Sequence, residues 1–534
     1  MINNIFKRVV FVVIVKFLVL FLLMFAIFRI STNEHLEEVS NEKNFYKVKI
    51  KSERGSIYDC RGFPLIDSHK KLIAAIVPSE SNFVKLLNII PENKRKQFIV
   101  KFYSKFPFTM EVTKKIKEKG VKIFEILKQS FNYIPACHTV GYLKEGHGIC
   151  GIEKSFDSLL GSANETEIIY QKDASGRVIS NKNPEFYDKS YYNSYGVQLH
   201  IDKRIQKIVE EISKKYISKG AVLVTEVPNC EIRASVSLPD FSLGDIDKSL
   251  KSKNSDFLNR VNSSYNLGSI FKLVTSACLI ESGMNISKVY DCKGAINFKD
   301  KTKIRCFNGV SHGKVDLEHA VSLSCNTMFA DLSKKIDPKN FLNLAKNLGF
   351  GKNLELSPGM ISDSGNLPNL EDLKDEKKMA MFSFGQGKLM ATPLQVAGLI
   401  NLISCGGVYH EPKLVKGIIN KDGSFENYHF NLPKRVLKFK TTEYLKKFMR
   451  ASIISGTGKY ANSSIISSAA KTSTAETGMF ENGERINHSW IAGFFPFENP
   501  RYCIVILVEN SDQGGKVCGP IFKEIGEKIS KFSN

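Results

Sequence analysis

The segment YNLGSIFKLVTSACLIESG (Tyr265–Gly283) decides how the rest of the chain is interpreted, because it joins a helical pattern to a serine and a lysine. Its apolar residues recur at helical spacing, and Gly283 supplies a C-terminal stop. Ser269 falls at the N-terminus of this predicted helix, where free backbone N–H groups and the helix dipole favour developing negative charge. Lys272 returns to the same face one turn later. The segment therefore predicts a hydroxyl whose proton a neighbouring amine can accept.

An S-x-x-K pair is a weak signal by itself, since Ser68 and Lys71 satisfy it too. A lysine accepts a proton from serine only if burial or a nearby cation lowers the lysine pKa. Taken alone, Ser269 is interpreted as a helix cap and Lys272 as a solvated charge. Residues from elsewhere in the chain are needed to decide between the two interpretations.

A second segment, HGKVDLEHAVSLSCNTMF (His312–Phe329), supplies such residues. Its flanks predict a corner between two helices at Ser324 and Asn326. There a hydroxyl and an amide can both point into a cleft beside Ser269. The alternative interpretation is a Ser/Asn pair that only caps a helix.

A third segment, AAKTSTAET (Ala469–Thr477), is predicted to be a strand of small and hydroxyl residues that carries one lysine. Alternation along a strand puts Lys471 and Ser473 on one face. It puts Thr472 and Thr474 on the other, although a local twist brings Thr472 to the edge of a cleft. The alternative is an edge strand that its lysine protects from pairing.

Strands are predicted at both ends of the long C-terminal part of the chain, with helices between them. The order favours an α+β fold, in which one central antiparallel sheet is closed by both ends and flanked by helices. The predicted strands are AVLVTEV (Ala221–Val227), EIRASVSL (Glu231–Leu238), SWIAGFF (Ser489–Phe495) and YCIVILVE (Tyr502–Glu509), and a helix over Phe522–Phe532 follows.

The N-terminus carries an apolar run, Val9–Phe28, that is interrupted only by Lys16. At 1.5 Å per residue this run spans a hydrocarbon layer of about 30 Å. Lys7 and Arg8 precede it and acidic residues follow, so the positive-inside rule puts the N-terminus in the cytoplasm. A cleaved signal peptide would have a shorter apolar core and a small-x-small site, which does not follow Ala26. We therefore expect a single-pass anchor and a large domain on the far side of the cytoplasmic membrane.

The composition is that of a folded protein with a basic surface. The 534 residues are 43% hydrophobic and 24% charged, which excludes a disordered chain. Lys+Arg number 76 and Asp+Glu 54, a net charge of +22 that fits an anionic neighbour or biased coding. A membrane surface or an anionic wall polymer suits an exported domain, and we predict no nucleic-acid partner.

The 11 cysteines contain no C-x-x-C pair, and no histidines cluster at metal-ligand spacing. We therefore predict no metal site and no cofactor. Cys292 and Cys306 flank a short loop and could form a disulfide in an oxidising compartment. The alternative is that the thiols stay free and serve as small apolar residues.

Taken together, S-x-x-K, S-x-N and K-T-G in this order resemble the penicillin-binding protein and serine β-lactamase superfamily. The chain is most similar to a class B penicillin-binding protein, a monofunctional peptidoglycan D,D-transpeptidase. The resemblance implies an anchor over residues 1–30, a non-catalytic, elongated, dimerisation-like pedestal over 31–195 and a transpeptidase domain over 196–534. The segments that resemble the pedestal are RGSIYDCRG (Arg54–Gly62), HTVGYL (His138–Leu143) and GIEKSFDSLLG (Gly151–Gly161). Further matching blocks in the predicted transpeptidase domain are FGQGKLMATPLQVA (Phe384–Ala397) and SGTGKYA (Ser455–Ala461).

The resemblance also implies a role for each motif residue. Ser269 is the nucleophile, Lys272 its base, and Ser324 relays a proton while Lys471 helps to keep Lys272 neutral. For substrate binding, Asn326 holds an amide of the stem peptide, Thr472 and Thr474 hold its terminal carboxylate, and the backbone N–H groups of Ser269 and Thr474 form the oxyanion hole. β-Lactams are implied inhibitors. A lipid-linked-sugar polymerase and other wall-synthesis proteins are implied partners.

One position departs from the family pattern, because Ser473 stands where glycine is usual. A hydroxymethyl group there must be accommodated by a small shift or by a smaller neighbour, which affects rate and β-lactam sensitivity. Two alternative functions stay open on the same fold: a D,D-carboxypeptidase, and a non-catalytic scaffold of the wall-synthesis complex. A β-lactamase is disfavoured by the anchor and pedestal, and the motifs do not separate a division from an elongation role.

Overall fold

The computed structural model describes residues 2–32, 45–129, 133–161, 164–173, 175–179, 185–188, 195–241, 246–298, 302–481 and 483–532. The chain forms two compact units whose segments alternate along the sequence. The first unit contains Met1–Glu53, Ser68–Lys128 and Ala163–Tyr192, and the second contains Arg54–Asp67, Gln129–Ser162 and Asn193–Asn534.

The N-terminal helix covers Ile2–Ser31. Its portion Phe6–Ser31 has a mean hydropathy of 3.1, and it is the one helix within the described residues that is long and apolar enough to cross a membrane. This helix fits the predicted single-pass anchor.

The first unit contains two small sheets and two apolar cores, and one strand contributes side chains to both cores. In the strand Ser68–Ile76, Ala74 and Ile76 pack into one core and Ala75 into the other, because alternate residues face opposite sides. One sheet consists of Phe45–Glu53, Asn164–Gln171 and Glu185–Asp188, and the other of Phe108–Val112, Ser68–Ile76 and Val121–Gln129, with helices at Phe83–Leu87 and Arg95–Tyr103.

The second unit is built on a five-stranded antiparallel sheet that joins strands from distant parts of the sequence. Its spatial order is Glu231–Leu238, Gly220–Glu226, Tyr502–Val508, Glu484–Phe495 and Ala469–Glu481. The predicted α+β class, with a central antiparallel sheet flanked by helices, is confirmed. We call the edge strand Ala469–Glu481 the motif strand.

The middle strand, Tyr502–Val508, is buried on both faces, and its side chains divide between two cores. Ile504 and Ile506 pack into the core beneath the helices Lys203–Tyr216 and Gly514–Ser530. Val505 and Leu507 pack into the larger core, with the helix Pro393–Ser404. The sheet therefore carries helices on both faces, which fixes its edge strand as a rigid element.

The other helices of the second unit lie largely between the second and the final strands of the sheet. They are Cys137–Val140, Gly151–Ser155, Asp157–Leu160, Ile246–Leu250, Lys272–Glu281, Leu317–Ser322, Asn326–Leu332, Pro338–Asn347, Glu376–Ser383 and Phe439–Ile454. A second sheet joins Ser56–Tyr58, Gly196–Leu199, Val415–Ile419 and Phe425–Asn427, and the described part of the unit also contains six two-stranded ribbons. The last helix begins earlier than predicted, at Gly514, and its first turn passes so close to the motif strand that a side chain on Gly514 would collide with the carbonyl of Ser473.

The three segments predicted as pedestal motifs belong to the second unit. Arg54 pairs with Glu153 at 2.7 Å, and Gly55 N–H donates to the carbonyl of Leu160, so two of the motifs contact each other. The strand Ser56–Tyr58 pairs in parallel with Gly196–Leu199. A single cut at residue 195 does not separate the two units, and the functional division into a pedestal over 31–195 and a transpeptidase domain over 196–534 stays a prediction.

Candidate active site

The predicted nucleophile, Ser269, lies in a short 3₁₀ turn, Gly268–Phe271, that leads into the helix Lys272–Glu281. The sequence predicted one continuous helix, but its first turn is tighter. Neighbouring segments hold this turn in place. Gly268 N–H donates to the carbonyl of Gly385 at 2.9 Å, and a side chain on Gly385 would collide with Gly268. The indole of Trp490 donates to the carbonyl of Asn266 at 3.0 Å.

Lys272 is fully buried and lies at the centre of the site. Its Nζ is 3.0 Å from Ser269 Oγ and 3.1 Å from Ser324 Oγ. The same nitrogen is 2.8 Å from the carbonyl of Ser324 and 2.7 Å from Asn326 Oδ1. Residues far apart in the sequence therefore meet around one amine, as predicted.

The partners of Lys272 determine where its lone pair points when the amine is neutral. The carbonyl of Ser324 and Oδ1 of Asn326 can only accept hydrogen bonds. Asn326 Nδ2 donates to the carbonyl of Arg305 at 2.9 Å, which fixes the orientation of the amide. A neutral amine has two N–H groups, and these two acceptors use both. The lone pair is then left for a hydroxyl, and Ser269 Oγ is within reach of it.

Both lysines of the site have lowered pKa values. Burial lowers the pKa of Lys272 to about 7. Burial also lowers the pKa of Lys471 well below its usual range, and the neighbouring charge of Lys272 adds to this effect. A neutral amine therefore exists near neutral pH, which a lysine base requires.

Ser324 and Asn326 lie at a corner between the helices Leu317–Ser322 and Asn326–Leu332, as predicted. Ser324 has a φ of +59°, in the left-handed region that costs a non-glycine residue of the order of 1 kcal/mol. This backbone directs both the carbonyl and the hydroxyl of Ser324 at Lys272. Lys471 Nζ donates to Ser324 Oγ at 3.2 Å and to the carbonyl of Thr472 at 2.9 Å. We call Ser269, Lys272, Ser324, Asn326 and Lys471 the lysine cluster.

Ser473 faces the nucleophile, on the same side of the motif strand as Lys471. The backbone N–H of Ser269 donates to Ser473 Oγ at 2.8 Å. Gly268 provides the space, because a side chain at that position would lie 2.3 Å from Ser473 Oγ. The unusual serine is thus accommodated by a small neighbour. It also occupies one of the two predicted oxyanion donors.

The two threonines of the third motif make other contacts. The Thr472 hydroxyl is 2.7 Å from the hydroxyl of Thr457, which belongs to the SGTGKYA block. Thr474 Oγ1 accepts from Gly514 N–H at 3.1 Å and is half-buried. Both residues adjoin the lysine cluster along the strand. In the described contacts neither threonine hydroxyl hydrogen-bonds to the side chains of the cluster, although the carbonyl of Thr472 accepts from Lys471 Nζ.

Sequence reasoning missed two features of the site. It did not connect Gly385 to the nucleophile turn, and it did not place the Ser473 hydroxyl on the Ser269 N–H. Gly385, the first glycine of FGQGK, was a usable signal, because glycine often marks a close approach between two backbones. In the structure Gly385 has a φ of +84° and passes against Gly268. The contact of Ser473 depends on the register of the motif strand against the turn, which no local pattern encodes.

Comparison with known proteins identifies the family. The family model described as the penicillin binding protein transpeptidase domain matches residues 220–527, more than half of the chain. The chain therefore belongs to the penicillin-binding protein transpeptidase family.

Individual relatives indicate which class of penicillin-binding protein the chain belongs to. Peptidoglycan D,D-transpeptidase FtsI of Buchnera aphidicola subsp. Schizaphis graminum is 25% identical over 97% of this chain and 93% of its own length. Stage V sporulation protein D of Bacillus subtilis is 24% identical over 92% of this chain and 80% of its own length. The structure of PBP2 from Helicobacter pylori in complex with MreC has a TM-score of 0.67 at 22% identity, covering 91% of this chain and 99% of that one. These similarities place the chain among the class B penicillin-binding proteins, as its motifs indicated.

Proposed function

We propose that this chain is a serine D,D-transpeptidase that cross-links peptidoglycan stem peptides through an acyl-enzyme on Ser269. The observation that carries the proposal is the contact between Ser269 Oγ and the buried Nζ of Lys272, at 3.0 Å. The names of the relatives support the substrate class. The lowered pKa of Lys272 supports its role as a base.

In the first half-reaction, Ser269 Oγ attacks the carbonyl carbon of the penultimate D-Ala while Lys272 accepts the hydroxyl proton. The bond to the terminal D-Ala then breaks, and Ser324 relays a proton to the leaving amine. Lys471, which donates to Ser324 Oγ, orients this relay. When it is protonated, Lys471 would also favour the neutral form of Lys272.

In the second half-reaction, an amine of a neighbouring stem peptide attacks the acyl-enzyme, and Ser269 regains its proton. Asn326 is assigned to the substrate amide, and Thr472 and Thr474 to its terminal carboxylate. The oxyanion would be held by the backbone N–H groups of Ser269 and Thr474. Each such donor contributes on the order of 10²–10³ to the rate in related acyl transfer.

Covalent labelling with a fluorescent penicillin tests the nucleophile. The full chain in detergent should form one stable adduct, and Ser269→Ala should abolish it. Ser68→Ala is the matched control, because Ser68 begins the other S-x-x-K pair in the sequence. Labelling that survives in Ser269→Ala and disappears in Ser68→Ala would refute the assignment.

The acyl acceptor separates a transpeptidase from a carboxypeptidase, because both share the first half-reaction. Incubation with a stem pentapeptide and a donor amine should give the cross-linked product in excess of the tetrapeptide acid. A product that is the acid alone would favour the carboxypeptidase. The second alternative is a non-catalytic scaffold, and the observation that supports it is the contact of Ser473 with the Ser269 N–H. It predicts that Ser269→Ala still supports growth in cells that depend on this chain.

We also propose that the anchor lies in the cytoplasmic membrane with the N-terminus inside and the second unit outside. The flanking charges support this orientation. A lipid-linked-sugar polymerase is the proposed membrane partner. The solved complex of PBP2 with MreC from Helicobacter pylori supports assembly with wall-synthesis proteins more generally. Protease accessibility of the second unit in intact spheroplasts would test the orientation.

A further inference from the structure

Three cysteines and one histidine meet behind the lysine cluster, and we call them the thiol cluster: Cys292, Cys306, His312 and Cys325. Their ligand atoms all lie within 4.8 Å of one another. The three cysteines are buried, and His312 is partly exposed. Cys325 is the middle residue of the corner that carries Ser324 and Asn326.

The distances between these atoms are those of ligands around a single ion. Cys292 Sγ is 3.8 Å from Cys306 Sγ, and Cys306 Sγ is 3.9 Å from Cys325 Sγ. Cys292 Sγ is 3.4 Å from His312 Nδ1. In a tetrahedral zinc site, bonds of about 2.3 Å to sulfur and about 2.0 Å to nitrogen put the sulfurs about 3.8 Å apart and a sulfur and nitrogen about 3.5 Å apart.

We propose that Cys292, Cys306, His312 and Cys325 form a structural zinc site of Cys₃His composition. Four protein ligands fill a tetrahedral shell and leave no open position, which is typical of structural rather than catalytic zinc. Thiolate and imidazole ligands favour zinc over the oxygen-seeking cations.

The surroundings of the cluster suit bound thiolates. The Thr327 hydroxyl is 3.2 Å from Cys292 Sγ and 3.4 Å from Cys325 Sγ, so it can donate to a coordinated sulfur. Such outer hydrogen bonds orient metal ligands. The Ser311 hydroxyl donates to the carbonyl of Cys292 at 2.6 Å and fixes the backbone beside His312.

The ion would tie two short ribbons to the catalytic corner. Cys292 ends the strand Tyr290–Cys292, whose partner strand Gly313–Val315 follows His312. Cys306 follows the strand Lys303–Arg305, and the carbonyl of Arg305 accepts from Asn326. One ion therefore joins three separate chain segments at the point where Ser324 and Asn326 meet Lys272.

The sequence-based prediction of no metal site relied on short spacing between ligands. These ligands are spread from Cys292 to Cys325, and only the fold collects them. The competing arrangement is a disulfide between Cys292 and Cys306, which the sequence left open. The geometry favours the ion, because all four ligand atoms lie close together, whereas a disulfide would use only Cys292 and Cys306 and would not explain why Cys325 and His312 lie beside them.

Metal analysis of the full chain in detergent, prepared without a metal-affinity column and with a thiol reductant, tests the proposal. We expect one zinc per chain by mass spectrometry. His312→Ser should lose the zinc, whereas His312→Cys should retain it because a thiolate restores a fourth ligand. Cys278→Ser is the matched control, since Cys278 lies outside the cluster, and it should retain the zinc.

Cobalt provides a readout that does not depend on activity. After removal of zinc with a chelator, added Co²⁺ should give the visible absorption of a tetrahedral thiolate-bound ion in the unsubstituted chain and in His312→Cys. His312→Ser should lose this band. Circular dichroism of each variant would show that the loss does not result from unfolding.

Three results would overturn the proposal. They are an unsubstituted chain without zinc that also fails to take up Co²⁺, a peptide map in which Cys292 is joined to Cys306, and a His312→Ser variant that keeps its full zinc content. None of these results bears on the proposed acyl transfer at Ser269, so the two proposals can fail separately.

Discussion

The lysine cluster and the thiol cluster share one corner of the backbone, yet they satisfy buried polar atoms in different ways. In the lysine cluster, hydroxyls, an amide and a carbonyl surround amines whose pKa values burial has lowered. In the thiol cluster, soft ligand atoms lie at nearly equal separations around one point. The first arrangement allows a proton to move, and the second holds positions fixed. The corner at Ser324–Asn326 needs both, because a proton relay works only if its donor and acceptor stay aligned.

The largest expected effect is a loss of acylation rate when the amine of Lys272 is removed, a change that should affect the lysine cluster and leave the thiol cluster intact. Lys272→Met keeps a long buried side chain and loses the base, so the rate of penicillin acylation should fall by about 10²–10⁴-fold. The zinc content should not change. Stopped-flow labelling with a fluorescent penicillin measures the rate, and thermal unfolding checks the fold. An acylation rate within a few-fold of the unsubstituted chain would show that Lys272 is not the base.

The second expected effect is on the pH profile of acylation. Only neutral Lys272 accepts a proton, and its pKa is lowered to about 7 by burial, so the rate should rise with pH and level off above that value. The neutral fraction of Lys272 falls tenfold per pH unit below the pKa, so the rate at pH 5 should be about 100-fold lower than the rate on the plateau at high pH. Besides burial, Cys325 and Cys306 act on the pKa of Lys272, and both raise it, whereas Lys272 itself lowers the pKa of Lys471. A rate that still rises steeply near pH 10, the ordinary lysine range, would contradict this assignment.

The third effect concerns the hydroxyl that occupies the Ser269 N–H. Ser473→Gly and Ser473→Ala both free this donor, and a free donor can stabilise the oxyanion, so acylation should accelerate by about 10-fold or more. The alanine variant keeps a Cβ, and it therefore separates the loss of the hydroxyl from the gain of space. Equal rates in all three chains would show that the contact opens at no cost during the reaction.

The smallest expected effect acts on the thiol cluster alone. Thr327→Val removes the hydroxyl beside Cys292 and Cys325 without changing the size of the side chain. Zinc affinity should fall by about tenfold, the lower end for partners of metal ligands, while acylation stays within a few-fold. Competition with a fluorescent chelator measures the affinity, and Thr327→Ser should restore it. An unchanged affinity in the valine variant would show that the hydroxyl does not support the ligands.

The lysine cluster could be predicted because each of its members lies in a short segment with its own local signal. Helical spacing put Lys272 on the face of Ser269, and strand alternation put Lys471 and Ser473 on one side. Predicted helix ends put Ser324 at a corner. The motif order then indicated that these segments meet, and the structure brings them within hydrogen-bond distance.

The thiol cluster and the two-unit organisation could not be predicted in the same way. The ligands of the cluster are spread over two ribbons and the corner, and their meeting depends on how the ribbons pack against the corner. The motifs at Arg54 and Glu153 join the second unit through a buried ion pair between residues far apart in sequence. Local composition carries no record of such partners, because a buried charge and its counter-charge can come from any two segments.

The sheet of the second unit has a consequence for biosynthesis. Its middle strand, Tyr502–Val508, is made long after Ser269, and both neighbouring strands pair with it. Translation must therefore run almost to the final helix before the motif strand gains a rigid backing. Lys471 lies on the motif strand, which is joined to Tyr502–Val508 through Glu484–Phe495. The lysine cluster can therefore assemble fully only when synthesis of the chain is nearly complete.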